Sequence, residues 1–154
     1  MKSKIYDLNE VKSRIRFYCA KEVRCQQQVM DKLLDYGVSI GMSEEILLEL
    51  IQEKYINEER YARSFCSGKF KIKKWGRQKI IFELKKKRVS EVCIQRGLEE
   101  INEAAYLHTL QQLLEKKKSL MKNTNQFVRK KKMVDYVVRK GYESDLVWEA
   151  VHKL

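Results

Sequence analysis

The fold of this chain is decided by residues 57–101, which read NEERYARSFCSGKFKIKKWGRQKIIFELKKKRVSEVCIQRGLEEI. Asn57 precedes two acids, and an asparagine oxygen in that place can accept the free amides of a first helical turn. Ile80 and Leu84 follow a spacing of four that puts them on one helical face. Ser90 precedes another acid and reads as a further helix cap. We therefore predict helices at about residues 57–72, 74–87 and 90–100.

The same elements recur on both sides of this stretch. An apolar residue, an asparagine and an acid begin the first helix at Leu8-Asn9-Glu10, Ile56-Asn57-Glu58 and Ile101-Asn102-Glu103. A serine followed by an acid begins the third helix at Ser43, Ser90 and Ser144. Each of these asparagines and serines is a predicted N-cap. The outer helices are expected at about residues 8–22, 25–36, 43–54, 102–121, 126–140 and 143–153.

Glycines mark the turns between these helices. Gly37 and Gly141 follow the second helix in the outer copies, where glycine readily adopts the left-handed backbone of a helix C-terminus. Arg88 stands there in the middle copy and carries a steric penalty in that conformation, so we expect the middle turn to differ. Gly76 lies at a helix junction, where two backbones can meet closely or the chain can turn.

These patterns predict an all-α fold of three tandem three-helix repeats, at residues 8–56, 57–101 and 102–154. Because one short repeat buries its apolar face poorly, we expect the repeats to stack into an elongated, curved array. The composition agrees with helix, since proline is absent and hydrophobic residues make up 44% of the chain.

Several classes of protein fit this composition poorly. No run of 18 apolar residues and no signal-peptide core is present, so we expect no membrane span and a cytoplasmic location. Cys19, Cys25, Cys66 and Cys93 lack the close spacing of zinc ligands and are interpreted as buried, reduced thiols. Phosphate-loop, nucleophile-elbow and zinc-protease motifs are missing, and no carboxylate cluster suits magnesium, so we expect neither an enzyme nor a cofactor.

Positive charge is concentrated in one segment. The chain has a formal net charge of +12, and residues 69–88 hold ten lysines and arginines against a single acid, Glu83. Residues 43–59, in contrast, hold six acids and one lysine. A basic surface of this kind favours an anionic partner, such as nucleic acid or an acidic protein groove.

Residues 69–88 are therefore the predicted binding site. Phe70, Trp75 and Phe82 interrupt the charges and could stack on bases, although packing in the core is the favoured interpretation. The predicted contacts are Lys69, Lys73, Lys74, Arg77, Lys79, Lys85, Lys86 and Lys87. Lys130 and Lys131 are predicted secondary contacts.

The central stretch resembles the signature of the RecX family of regulatory proteins. Arg60-Tyr61-Ala62 is similar to its R-[FY]-A opening, and residues 74–80 resemble its basic segment with a glycine and a following isoleucine. Residues 83–89 resemble its E-L-x-x-K-G-[IV] close, with Arg88 in place of the usual glycine. Residues 18–38 and 131–154 resemble the first and last repeats of the family.

The resemblance implies binding in the groove of RecA filaments on single-stranded DNA, with lower strand exchange, ATP hydrolysis and co-protease activity in recombinational DNA repair. It implies a regulator rather than an enzyme, and we expect a monomer. The residues by themselves leave two alternatives open. One is a basic helical protein that binds DNA without RecA, and the other is a scaffold for acidic proteins. Direct contact with DNA is open in the first case as well.

Overall fold

The computed structural model describes residues 7–122 and 125–154. Within these ranges the chain forms nine α-helices and no β-strand, which confirms the predicted all-α class. The helices are α1 (Leu8–Lys21), α2 (Gln26–Asp35), α3 (Ile40–Gln52), α4 (Glu58–Lys73), α5 (Arg77–Lys86), α6 (Glu91–Leu98), α7 (Glu103–Leu120), α8 (Gln126–Arg139) and α9 (Ser144–His152).

The helices contact one another mainly within three consecutive triplets. In the first triplet, α2 packs against α1 and α3. In the second, α4 lies along α6 and both contact α5, and in the third, α7, α8 and α9 all contact one another. This is the tandem three-helix arrangement that the sequence predicts. The repeat boundaries, at residues 56/57 and 101/102, stay predictions.

Three of the predicted N-caps are confirmed. The side-chain oxygen of Asn57 accepts the amide of Arg60 at 2.9 Å, and that of Asn102 accepts the amide of Ala105 at 2.9 Å. Ser90 caps α6 in the same way. In each case the side chain satisfies an amide that has no carbonyl partner in the first turn, which fixes where the helix begins.

Two predicted caps are wrong by one or two residues. Asn9 lies inside α1, because the carboxylate of Asp7 accepts the amide of Glu10 at 2.9 Å and starts the helix earlier. Ser144 is the first residue of α9, and Glu143 is the cap residue with an extended backbone.

The predicted cap at Ser43 is also wrong. Helix α3 begins three residues earlier than expected, directly after the turn at Gly37, and Ser39 accepts the amide of Met42 at 3.2 Å. Ser43 is consequently one turn inside the helix and fully buried, and its hydroxyl has no hydrogen-bond partner among the described residues. The first residue able to cap the chain after the turn sets the start of α3.

The expectation that the middle turn differs is wrong. Gly37 and Gly141 have φ angles of 89° and 105°, and Arg88 adopts the same left-handed region with φ 60°. In all three turns this residue donates its amide to the carbonyl three residues earlier, and the next residue donates to the carbonyl five residues earlier. Arg88 therefore accepts the backbone strain that glycine avoids, because these hydrogen bonds close the helix.

Apolar side chains form two separate cores. The first triplet has its own core, which consists of Val11, Ile15, Cys19, Val29, Leu33, Ile46, Leu50 and Ile56. The second and third triplets share one continuous core, which includes Tyr61, Tyr106 and Val151. Cys25 of the first triplet belongs to this larger core, so it connects the first triplet to the second.

The cysteines are free thiols, and the predicted burial holds for three of them. Cys19, Cys25 and Cys66 are buried, and Cys93 is half-buried. Burial raises the pKa of the Cys66 thiol to about 12, so this side chain stays uncharged and packs as a small hydrophobic residue.

Gly76 brings the second and third triplets into backbone contact, as its place at a helix junction suggests. A Cβ atom on Gly76 would lie 2.3 Å from the carbonyl carbon of Gly141. The amide of Gly76 donates to the carbonyl of Lys140 at 2.7 Å, and the amide of Gln78 donates to that of Gly141 at 2.8 Å. The start of α5 is thereby joined to the turn between α8 and α9.

Candidate partner-binding surface

The predicted contacts of the central segment lie on two consecutive helices and the turn between them. Those that we group as the basic flank are Lys69, Lys73, Lys74, Lys79, Lys85, Lys86 and Lys87. Lys69 and Lys73 lie in the last turns of α4, and Lys74 ends that helix in the left-handed conformation with φ 60°. Lys79 lies near the start of α5, and the remaining three lysines lie at its end.

Lys73 and Lys74 are the most available cations of the basic flank. Both are exposed, and neither ammonium group has a carboxylate within 4.0 Å among the described residues. The hydroxyl of Tyr142 donates to the carbonyl of Lys74 at 3.0 Å. The backbone at the end of α4 is thus held against the third triplet while the charge points to solvent.

Trp75 lies between two further lysines. The ammonium nitrogen of Lys69 is 5.0 Å from the centre of the indole ring, and that of Lys79 is 4.5 Å from it. Phe65 contacts the same ring edge-on. Each cation is attracted to the electron-rich ring face, so both half-buried lysines are held near the surface. Neither has a carboxylate within 4.0 Å in the ranges that the structure describes. Trp75 therefore packs as predicted and also attracts two lysines through its ring.

Lys85 and Lys86 have weak acidic partners. Lys85 lies 3.8 Å from Glu91, and Lys86 lies 3.6 Å from Glu83. Both lysines are 60% exposed in these pairs, and exposed ion pairs of this kind contribute only about 0–1 kcal/mol. A stronger anion can therefore displace either carboxylate. Lys87 is half-buried and has no such pair among the described residues.

Two of the aromatic residues in the segment have opposite environments. Phe70 is buried in the large core, as the favoured interpretation expects. The same interpretation is wrong for Phe82, which is 61% exposed, with the ammonium of Lys86 5.5 Å from its ring centre. Helix α5 has a narrow buried face on Ile80 and Leu84, and Phe82 lies outside it.

Arg77 differs from the other predicted contacts. Its guanidinium lies 2.9 Å from a carboxylate oxygen of Glu103 and 2.8 Å from one of Glu143, and it also stacks on the ring of Tyr106. Both acids come from the third triplet. This arginine therefore joins two triplets, and its charge is compensated inside the protein, so we leave it out of the basic flank.

The predicted secondary contacts lie on α8. Lys130 lines a small pocket of about 150 Å³ together with Lys118 and Arg129, which belong to basic clusters of the sequence but were not among the predicted contacts. Lys131 is exposed and is absent from that lining. The pocket shows that α7 and α8 bring distant cations together, which a linear run of lysines does not reveal.

Sequence reasoning also missed a second cationic surface, in the first triplet. Tyr18 on α1 and the residue that ends α2, Tyr36, flank the ammonium of Lys32. These residues are dispersed over two helices, so no single stretch of sequence displays them as a group. In the sequence, this surface is indicated only by the adjacent residues Phe17 and Tyr18, which stand between basic residues of α1.

The described ranges contain neither a candidate metal site nor a candidate membrane-spanning helix. No set of three or more histidine, cysteine, aspartate or glutamate side chains there is arranged to hold a metal ion. No helix in residues 7–122 or 125–154 has the length and apolar character that crossing a membrane requires.

Family models match two parts of the chain. The model of the second three-helix domain of RecX matches residues 57–98, and that of the third three-helix domain matches residues 104–151. Together these matches cover more than half of the 154 residues. They coincide with the second and third helix triplets.

Curated relatives extend the similarity towards the first triplet. The chain is 27% identical over 137 residues to the protein named Regulatory protein RecX of Bacillus cytotoxicus, a match that covers 89% of this chain and 51% of the relative. It is 26% identical, with the same coverage, to the protein of that name from Bacillus mycoides. The chain thus spans about half the length of the curated relatives it matches.

Solved structures agree on the fold. The crystal structure of RecX from Lactobacillus salivarius superposes with a TM-score of 0.86 at 20% identity and covers 96% of both chains. A second structure, described as a regulatory protein RecX, has the same TM-score and identity and covers 95% of this chain and 71% of its own. On the strength of the two family models, this chain belongs to the RecX family of regulatory proteins.

Proposed function

We propose that the chain binds RecA filaments assembled on single-stranded DNA and lowers their ATPase, strand-exchange and co-protease activities. Membership of a family of regulatory proteins supports a modulating role. The proposal assigns the protein to the cytoplasm as a monomeric regulator without catalytic chemistry of its own.

The exposure of Lys73 and Lys74 is the observation that supports particular residues as contacts. The exposed ammonium groups of Lys73 and Lys74 have no carboxylate within 4.0 Å among the described residues. Around them the basic flank extends along α4 and α5, with Lys69 and Lys79 fixed over Trp75. A row of cations with few acidic partners raises the local concentration of an extended anionic partner and gives an association that weakens as salt increases.

The basic flank suits either anion that a nucleoprotein filament offers. DNA phosphates and acidic protein side chains both accept charge-assisted hydrogen bonds from lysine. The backbone hydrogen bonds between Gly76 and the turn at Gly141 hold the second and third triplets in a fixed relation. Contacts made along α4 and α5 therefore act on the filament as contacts of one rigid unit.

The test is the ATPase of RecA on single-stranded DNA, titrated with this protein at two salt concentrations. The test variant combines Lys73→Gln, Lys74→Asn and Lys79→Gln, since asparagine tolerates the left-handed backbone at position 74. Arg77 is left unchanged, because its replacement would break ion pairs between triplets. We expect the test variant to need at least about tenfold more protein for half-inhibition, as the loss of about 1.4 kcal/mol of binding would require.

The matched control combines Lys116→Gln, Lys122→Gln and Lys153→Gln, which remove the same charge outside the basic flank. It is expected to inhibit like the unmodified protein, and circular dichroism must show equal helicity for all three proteins. Equal inhibition by the test variant would contradict the role of the basic flank. Tight binding to naked duplex DNA, without any effect on RecA, would instead favour the alternative of a DNA-binding protein that acts alone.

A further inference from the structure

The groove between α1 and α2 lies in the first triplet, outside both segments that the family models match. It is an open groove of about 590 Å³. Among the described residues its lining contains three aromatic and four basic side chains but no acid. Acids are common in the rest of the first triplet. Basic and aromatic side chains are therefore concentrated on this one surface.

Two of the four cations of the groove, Lys32 and Arg24, lie over its tyrosines. The ammonium of Lys32 lies 5.5 Å from the ring centres of both Tyr18 and Tyr36. The guanidinium of Arg24 stacks 3.9 Å from the ring centre of Tyr18 and also pairs with Glu22. Lys21 and Lys32 have no carboxylate within 4.0 Å in the part of the chain that the structure describes. Two uncompensated positive charges therefore lie beside the groove.

Phe17 presents an aromatic face at the edge of the same groove. Its side chain is 72% exposed, although it adjoins the tyrosine that packs against the first core. No other ring in the described ranges stacks on it. A phenylalanine that is so exposed contributes little hydrophobic free energy to folding, because most of its apolar surface remains in water. Covering its face with a planar group would remove that surface from water.

These features distinguish between anionic occupants. An acidic peptide would neutralise the lysines and leave the face of Phe17 without a matching group. Duplex DNA would offer phosphates, but its base faces are stacked on one another. A single strand offers both phosphates and free base faces, and proteins that bind single strands combine cations with exposed aromatic rings in this way.

We propose that the groove between α1 and α2 binds an unpaired stretch of single-stranded nucleic acid, with a base stacked on Phe17 and backbone phosphates at Lys21 and Lys32. This site does not depend on the basic flank or on RecA. Its binding is a property of the protein by itself, so the failure of either proposal leaves the other standing.

The first test measures fluorescence anisotropy of a fluorescein-labelled 12-residue oligothymidylate with the full chain at several salt concentrations. Phe17→Ala is expected to weaken binding at least about fivefold, since stacking on an aromatic ring contributes about 1–3 kcal/mol per base. The pair Lys21→Gln and Lys32→Gln is expected to weaken binding and to flatten its salt dependence, because fewer counterions are released.

Matched controls separate the groove from general effects. Leu48→Ala removes a 60% exposed apolar side chain of α3 in the same triplet. The pair Lys116→Gln and Lys122→Gln removes the same charge as the groove pair. Both controls are expected to bind within about twofold of the unmodified protein. Circular dichroism must show that the groove variants keep their helicity.

A second test locates the strand. An oligothymidylate that carries 5-bromodeoxyuridine is cross-linked by light and the protein is digested with trypsin, which cuts after Arg16 and Lys21. The expected adduct lies within residues 17–21. Unchanged affinity of Phe17→Ala, or adducts confined to residues 69–88, would overturn the proposal. A labelled octaglutamate peptide serves as the competing ligand. If binding of this peptide depends on Phe17 and binding of the oligonucleotide does not, the proposal is also overturned.

Discussion

Arg77 holds Glu143 with two nitrogens, since Nε and Nη2 both lie 2.8 Å from the same carboxylate oxygen. The other oxygen of Glu143 accepts the hydroxyl of Tyr106, and this hydroxyl in turn accepts the amide of Arg77 at 3.0 Å. The first residue of α5 is thus tied to the cap residue of α9 through a side chain of α7. This network of hydrogen bonds and ion pairs holds the second and third triplets together.

Replacing this arginine should therefore affect stability rather than binding. Arg77→Gln is expected to lower the free energy of unfolding by about 1–3 kcal/mol, because hydrogen bonds to charged groups are lost and Glu143 keeps an uncompensated charge. The measurement is urea unfolding followed by circular dichroism. Lys73→Gln, at an exposed position that forms no ion pair with any residue the structure describes, serves as control and should change the value by less than about 0.5 kcal/mol. Equal stability of the two variants would argue against the network.

Gly76 is the second point at which these triplets meet. Gly76→Ala is expected to destabilise the protein by about 1–3 kcal/mol or more, because the new methyl group would overlap the backbone of Gly141. Thermal and urea unfolding measure the change. Gly68→Ala is the control, since no atom beyond its chain neighbours and the backbone of its own helix lies within 4 Å of a Cβ there, and the position is inside α4. That control should stabilise by about 0.5–1 kcal/mol, and a stabilising Gly76→Ala would contradict the close approach.

Arg88 adopts a backbone conformation that favours glycine. Arg88→Gly is expected to raise the free energy of unfolding by about 1 kcal/mol, because the left-handed conformation costs a side-chain-bearing residue about 1–2 kcal/mol. Arg88→Ala keeps the strained backbone without the guanidinium, so it should not share this gain. If both variants lose stability alike, the arginine side chain itself would have to stabilise the turn.

Glu58 gives the stability a dependence on pH. One oxygen accepts the amide of Gln26 at 3.3 Å, and the other is buried without a hydrogen-bond partner among the described residues. Burial raises the pKa of this carboxyl above its usual 4.5. The folded state therefore holds this proton more tightly than the unfolded state, so the contribution of Glu58 to stability is most favourable below the unfolded pKa and is lost as pH rises through the folded pKa.

Glu58→Gln should accordingly raise the free energy of unfolding at pH 7, and its advantage over the unmodified protein should disappear below about pH 4. Urea unfolding at both pH values gives the comparison. Glu45→Gln, at an exposed carboxylate of α3, is the control and should change the free energy little at pH 7. An advantage for Glu58→Gln that grows on acidification would have the wrong sign and would exclude this origin.

Much of the local structure could be predicted from short patterns. Asn57, Ser90 and Asn102 cap helices as expected, because a cap acts through amides only two or three residues away. Ser43 shows the limit of such patterns. It has the right residue type and a following acid, but Ser39 stands earlier and captures the start of α3. Competition between nearby caps depends on the preceding turn as well as on the cap residue.

The environments of the proposed contact residues were less predictable. Lys73 and Lys74 are exposed as the charge run suggests, whereas Arg77 in the same run pairs with acids 26 and 66 residues away. Phe82 was expected to pack in the core, yet it lies in solvent although Ile80, two residues earlier, is buried. A sequence does not show whether a given lysine, arginine or phenylalanine faces a partner or packs against the protein itself.

The sequence by itself determined the helical class, the threefold recurrence of its elements and the concentration of charge in residues 69–88. These properties arise from periodicity, capping and composition, which act over a few residues. Only the tertiary structure decided that Arg77 joins two triplets, that Arg88 closes its turn as the glycines do, and that α1 and α2 form an aromatic, basic groove. These depend on which distant side chains and backbones meet, and that is set by the packing of the whole chain.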